Sequence, residues 1–298
     1  DDGKCEYDGA SRKERTSVKQ KRKRRGLLGI LIACLLALIA LALNPALRVQ
    51  TYEVKSEKLT GAVRIALVTD LHACNYGENQ ADLIRAIAEQ NPDIVLLGGD
   101  IFDDILPNDR AEQLLQGIAG VYPCYYVTGN HEYWSGNIDG ILDLVRSYGV
   151  TILSGTYDTI EVNGQKINLC GVSDPDVVSY TETAVGMEQQ LEMLKDVYKS
   201  GNYTILLAHR PEEIERYSAY HFDLVLSGHA HGGQWRLPGI VNGLLAPNQG
   251  WFPKYAGGKY LVNGTTLIVS RGLARESTRI PRIFNRPELV VVDLEGAG

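Results

Sequence analysis

Cysteine is scarce in this chain of 298 residues: there are five, and no two are spaced as C-x-x-C. Spacing therefore offers neither a thiolate zinc site nor a disulfide framework. Cys124 and Cys170 sit in strand-like apolar runs and read as small buried residues, and Cys74 reads as a packed thiol. There is no internal repeat and no low-complexity linker, which excludes a solenoid or a disordered chain. With 44% hydrophobic and 22% charged residues, the chain can bury a core for one large or two medium domains.

Positive charge is also scarce over most of the chain. The formal net charge is -6, yet residues 1–25 hold ten Lys or Arg against five Asp or Glu, leaving -11 on the remainder. An acidic domain is a poor match for a phosphate backbone, so no nucleic-acid partner is expected, and nothing indicates a protein partner.

Between the basic tail and the acidic remainder lies a charge-free run from Leu27 to Leu47. As a helix its 21 positions span about 30 Å, the thickness of a bilayer core. The six basic residues from Lys19 to Arg25 argue for a single membrane-spanning anchor rather than a buried helix. They also predict a cytoplasmic N-terminus and an extracytoplasmic domain at the cell membrane. The alternative is export after signal cleavage, with Ala40-Leu41-Ala42 as a small-residue site and Arg24-Arg25 as a loose twin-arginine signal. The expected organisation is a basic cytoplasmic tail (1–25), an anchor (26–47), a linker (48–61) and one domain (62–298).

Within that domain, apolar strands alternate with helix-like stretches. Val63–Thr69, Ile94–Leu97 and Val121–Val127 read as strands, with helices near Glu78–Gln90, Arg110–Ile118 and Ile138–Ser147 between and after them. A hairpin follows, Thr159–Val162 with Lys166–Cys170, closed by Asn163-Gly164. Then come a helix near Glu182–Lys199, strand Thr204–Ala208, a short helix opened by Pro211, and strand Leu224–Leu226. A second Asn-Gly turn at Asn263-Gly264 and a run at Leu289–Leu294 complete an α/β domain whose second half is richer in antiparallel strands.

The informative polar residues directly follow those strands. They are Asp70-Leu71-His72, Gly99-Asp100, Gly129-Asn130-His131-Glu132, His209, and Gly228-His229-Ala230-His231. The carboxyl ends of strands form the ligand crevice of α/β sheets, and these five ends carry five of the six His. Asp, Asn and His without Cys make a mixed oxygen and nitrogen donor set, suited to Mn, Fe or Zn. There are too many donors for one ion and about enough for two sharing a carboxylate. Such pairs of divalent ions bind phosphate oxygens and supply a hydroxide nucleophile.

D-x-H, G-D, G-N-H-E, H and G-H-x-H in this order resemble the calcineurin-like metallophosphoesterases, from about Val63 to Leu294. Gly232-Gly233-Gln234, Ser270-Arg271-Gly272-Leu273 and the basic anchor are similar to a membrane-anchored bacterial branch that cleaves a diacylglucosamine nucleotide pyrophosphate. The resemblance implies a four-layer α/β/β/α sandwich and a phosphorylated, lipid-linked substrate, with cleavage of a phosphoester or pyrophosphate. It implies that Asp70, His72 and His231 hold one ion, that Asp100 bridges, and that Asn130, His209 and His229 hold the other. His131 would protonate the leaving oxygen and Glu132 would be structural. Asp103 would orient His131, unless it is an exposed loop acid like Asp104. Arg271 and Arg275 would contact substrate phosphate, or brace their loop. The run Asn248–Tyr260 carries Trp251, Phe252, Lys254 and Tyr255, with rings that either pack on the second sheet or rest against lipid. A non-catalytic scaffold on the same fold is the alternative function, although every matched ligand position is filled.

Overall fold

The structure, a computed structural model, describes residues 5–181, 183–275 and 280–297, with side chains from Ser17 onward. Asp1 to Lys4 of the basic tail, and Glu182 at the start of one expected helix, lie outside the described residues. Two compact units divide at Asn44 and Pro45. The first is the helix α1 (Cys5–Ala42), whose stretch Ser17–Ala42 is long and apolar enough to cross a membrane, with its leucines and isoleucines exposed.

The second unit starts earlier than the composition predicts. Leu47 packs against the domain's core and Arg286 donates to the carbonyls of Ala46 and Leu47, so Pro45–Leu47 belongs with the domain rather than with the 26–47 anchor. Residues 48–61, expected as a linker, begin with a nine-residue strand, β1 (Arg48–Ser56). It is an edge strand with only Val54 fully buried, and its partner lies some 240 positions away in sequence, so no local apolar pattern announces it.

From there the chain runs β2 (Val63–Val68), α2 (Ala81–Ala88), β3 (Ile94–Gly98), α3 (Asp109–Ile118), β4 (Cys124–Val127), α4 (Asn130–Trp134), α5 (Ile138–Ser147) and β5 (Thr151–Ile152). The hairpin β6 (Thr156–Val162) and β7 (Gln165–Gly171) follows, then α6 (Val177–Tyr180), α7 (Met187–Leu194), β8 (Tyr203–Leu207), α8 (Ile214–Ser218) and β9 (Leu224–Ser227). A two-stranded ribbon, β10 (Leu245–Ala246) with β11 (Gly250–Trp251), precedes β12 (Gly258–Val262), β13 (Thr265–Val269) and β14 (Glu288–Gly296).

These strands form two six-stranded sheets, ordered β1-β14-β2-β3-β4-β5 and β12-β13-β9-β8-β7-β6. The period of two along each strand separates three cores. Ile65 and Leu67 of β2 face Ile205, Leu207, Leu224 and Leu226 between the sheets. Ala66 and Val68, on the other face, meet Leu83 and Ile87 of α2 and Leu114 of α3. Leu206 and Val225 meet Leu191 of α7 and Tyr217 of α8 on the far side. The result is the four-layer α/β/β/α sandwich.

Both Asn-Gly turns close hairpins as expected. Asn163 and Gly164 have φ of 52° and 77°, Asn263 and Gly264 51° and 86°, the double left-handed conformation of a tight hairpin turn. Two elements differ from expectation. The strand expected from Val121 begins at Cys124, because Pro123 has no N–H for the ladder. The helix expected over 182–199 is α7 alone, followed by a tighter turn at Val197–Ser200. Met187, Leu191, Leu194 and Val197 all reach one core. Cys124 and Cys170 are buried as predicted, which pushes both thiols up to about 12.

Candidate metal centre

The carboxyl ends of β2, β3 and β4 in one sheet and of β8 and β9 in the other converge at one edge of the sandwich. There they bring Asp70, His72, Asp100, Asn130, His209, His229 and His231 together, all buried. The backbone is bent to do it: Asp70, His72, Asp100, His229 and His231 have φ between 47° and 63°, a region costly for residues other than glycine. Two glycines clasp the first carboxylate. A Cβ on Gly228 would meet Asp70 Oδ2 at 2.5 Å, and one on Gly272 would meet Asp70 Cβ at 2.6 Å.

Hydrogen-bond partners assign the imidazole tautomers. His209 Nδ1 donates to the carbonyl of Gly98 at 2.8 Å, so Nε2 presents its lone pair inward, 3.1 Å from Asp100 Oδ2. His229 Nε2 donates to Asn248 Oδ1 at 2.8 Å, so Nδ1 turns inward. These two inward nitrogens lie 3.2 Å apart. Lone pairs cannot face each other at that distance unless a proton or a cation lies between or beside them. In the other half, His72 Nδ1 donates to Asp103 Oδ1 at 2.9 Å, and its Nε2 lies 3.3 Å from His231 Nε2 and 3.7 Å from Asp100 Oδ2. Asp70 Oδ2 and Asn130 Oδ1 are buried acceptors with no hydrogen-bond partner among the described residues. Orphaned acceptors and opposed lone pairs are what a cation site looks like from its donors.

Two donor groups can each hold an ion, Asp70-His72-Asp100-His231 and Asp100-His209-His229, and Asp100 is common to both. The buried Asp and His clusters suit a dinuclear metal site. A third group, His72-Asp103-His131, shares His72 and is knit by hydrogen bonding. Charge balance agrees. Burial disfavours the Asp100 carboxylate, yet His209, His72 and His131 hold it well below the usual range. Burial pushes Asp70 up, with Asp100 adding to the rise. Burial also opposes charge on His209, but Asp100 and Asp70 push it up to about 10, whereas burial and the His209 charge push His229 down to about 3. A proton on His209 fills the cation's role.

Sequence motifs named the residues that the fold brings together here but not what orients them. Asp103 is buried and serves His72, while Nδ1 of His131 lies 2.6 Å from Asp104 and 3.5 Å from Asp103. Asp104, dismissed as an exposed loop acid, is the nearer partner of His131. Asn248, the partner of His229, sits 17 residues beyond the last motif histidine, and no spacing signals it. Glu132 accepts from the amides of Asp100, Gly129, Ile101 and Phe102, stapling two strand ends together. Arg210 beside His209 forms a buried two-pronged pair with Asp174, at 2.7 Å on each arm.

Arg271 and Arg275 are engaged by the protein. Arg271 Nε lies 3.4 Å from Glu288. Arg275 donates to the carbonyl of Asn75 and lies 5.1 Å over the ring of Tyr76. Tyr255 is buried, but Trp251 and Phe252 are 68% and 66% exposed rather than packed on the second sheet. Trp251 lines an open apolar recess of about 170 Å³ with Trp235, Leu244, Leu245 and Ile280. Its remaining wall, Gln234, follows His231 by three residues.

Residues 63–233 match the profile of the calcineurin-like phosphoesterases. An uncharacterised metallophosphoesterase of Aquifex aeolicus (strain VF5) is 32% identical over 257 residues, 85% of this chain and 93% of that protein. A Danio rerio protein described as a transmembrane protein with metallophosphoesterase domain is 28% identical over 301 residues, 96% of this chain and 66% of that one. The NAD nucleotidase of Haemophilus influenzae aligns with a TM-score of 0.53 at 17% identity, over 72% of this chain and 46% of that chain, a likeness of fold.

Proposed function

The chain belongs to the calcineurin-like phosphoesterase family, and on that premise we propose that it is a membrane-anchored two-metal hydrolase of a phosphoester or pyrophosphate in a lipid or cell-envelope substrate. The observation that carries the reading is the pair of donor groups sharing Asp100. Asp70, His72 and His231 would hold one ion and Asn130, His209 and His229 the other, with Asp100 between them. The donor set fits Mn, Fe or Zn. When bound, the two ions supply positive charge to the phosphoryl oxygens and make water acidic enough to attack at neutral pH.

The protein's own groups do the rest. His131 is part-exposed beside the donors, and its Nδ1 is taken by Asp104, so Nε2 is the atom that carries a proton to the leaving oxygen. The ring is set edge-on to His72, with centroids 4.3 Å apart, which aims it over the site. Glu132 holds the amides around Asp100, and the amide of His131 donates to Asp100 Oδ1 at 2.9 Å, which fixes the carboxylate that would be shared.

Anchoring is supported by the apolar stretch of α1 and by the Danio rerio relative's description as a transmembrane protein. Lys19 to Arg25 support a cytoplasmic N-terminus and an extracytoplasmic domain. A lipid-borne substrate is supported by the exposed Trp251 and Phe252 and by the apolar recess beside Gln234. The test is turnover by the full chain in detergent, stripped and reloaded with Mn, Zn or Fe, against monoesters, diesters and nucleotide-linked lipids. Asp100→Asn should abolish turnover of whichever ester is cleaved, and undiminished turnover in a folded variant would overturn the assignment.

A further inference from the structure

Arg282 lies on the segment leading into β14, and its Nη1 donates to the carbonyl of Arg271 at 2.9 Å. Its Nε and Nη2 are buried and, among the described residues, have no hydrogen-bond partner. Those two N–H groups form one edge of the guanidinium, the edge that grips two oxygens of a phosphate or carboxylate through parallel bonds. A buried charged donor edge left empty is costly and calls for a ligand.

The surroundings place Arg282 beside the candidate metal centre. Gly272, next to the carbonyl that anchors Arg282, presses on Asp70, and Leu273 N donates to the Asp70 carbonyl at 3.2 Å. Asn285, three residues beyond Arg282, donates to the carbonyl of His231 at 2.7 Å. Arg282 is thus held between the backbone that carries Asp70 and the backbone that carries His231. Burial pushes the Arg282 guanidinium down, with Tyr76 and Asp70 opposing the fall, and burial, His72 and then Arg282 push His231 down. Asp70 nevertheless gives its Oδ1 to the amide of His229, not to Arg282. Of the described arginines nearby, Arg271 is ion-paired with Glu288 at 3.4 Å, Arg275 donates to the carbonyl of Asn75 and Arg236 to the carbonyl of Gly232.

We infer that Arg282 is a substrate-binding residue whose Nε–Nη2 edge takes two oxygens of the substrate's phosphoryl group, beside the Asp70-His72-His231 half of the site. This rests on the phosphoesterase reading above. The residue lies past the last recognisable motif, which is why sequence pattern does not single it out.

The test uses the full metal-loaded chain in detergent, with inorganic phosphate as the probe. Calorimetric phosphate binding and product inhibition are measured for the wild type, Arg282→Gln and Arg282→Lys, with metal content and melting temperature alongside. Loss of two charge-assisted bonds should weaken phosphate binding by roughly 10- to 100-fold in Arg282→Gln, with two ions still bound, and KM for a chromogenic ester should rise more than kcat falls. Arg282→Lys should recover part of the affinity, since it restores charge without the fork. Equal phosphate affinity in the wild type and both variants would overturn the inference, as would loss of metal in step with loss of phosphate binding. If the wild type cleaves no phosphoester, the functional reading fails, and phosphate calorimetry still decides the role of Arg282.

Discussion

Asp103 accepts a hydrogen bond from Nδ1 of His72 at 2.9 Å, and this contact decides which imidazole nitrogen turns toward Asp100. A carboxylate behind a ligand histidine fixes its tautomer and raises its basicity. Asp103→Asn should therefore weaken metal binding by about 10- to 100-fold, measured by competition with a chelator. Asp104→Asn, which touches His131 instead, should leave metal affinity intact and lower kcat. Reversed effects would show that the two acids have been assigned to the wrong histidines.

Asn248 plays the corresponding part for His229, accepting from its Nε2 at 2.8 Å. Asn248→Ala should free that ring to flip and selectively weaken one ion of the pair. Metal titration followed by calorimetry would show one weakened and one unchanged binding event. Two unchanged events would dissociate Asn248 from the site.

Metal loading should depend on pH, with a sign set by His209. Without an ion, Asp100 and Asp70 overcome the opposing effect of burial and push His209 up to about 10, so it carries a proton at neutral pH that an ion must displace. Affinity in that half should rise with pH, about tenfold per unit for one displaced proton, while His229, pushed to about 3, adds nothing in this range. Equilibrium dialysis at pH 6, 7 and 8 reads the slope, and a flat profile would contradict the assignment.

The exposed rings give a prediction about surfaces. Replacing Trp251 and Phe252 with Ser should lower turnover of a lipid ester in vesicles and spare a soluble chromogenic ester. Equal loss on both substrates would make the rings structural.

Much of the site was legible in the sequence because each donor directly follows an apolar strand, and strand ends of an α/β sheet converge. The groups that orient the donors were not. Asn248 lies in an aromatic loop, and Asp104 looks like any loop acid until the turn carrying it is placed beside His131. Exposure of Trp251 and Phe252 was likewise beyond local pattern, since a ring in a loop reads the same whether or not a partner surface covers it. In the fold, β1 escaped notice because its ladder partner β14 is at the opposite end of the chain. The strands with two buried faces announced themselves by their apolar runs.

The central claim is that Asp100 is shared between two ions in one site. Metal analysis of the purified full chain, reloaded after stripping, tests it most directly, comparing the wild type with Asp100→Asn and His209→Ala. The account predicts close to two ions per wild-type chain, loss of both or severe weakening of both in Asp100→Asn, and one retained ion in His209→Ala. A single ion in the wild type, or two firmly held ions in Asp100→Asn, would contradict it.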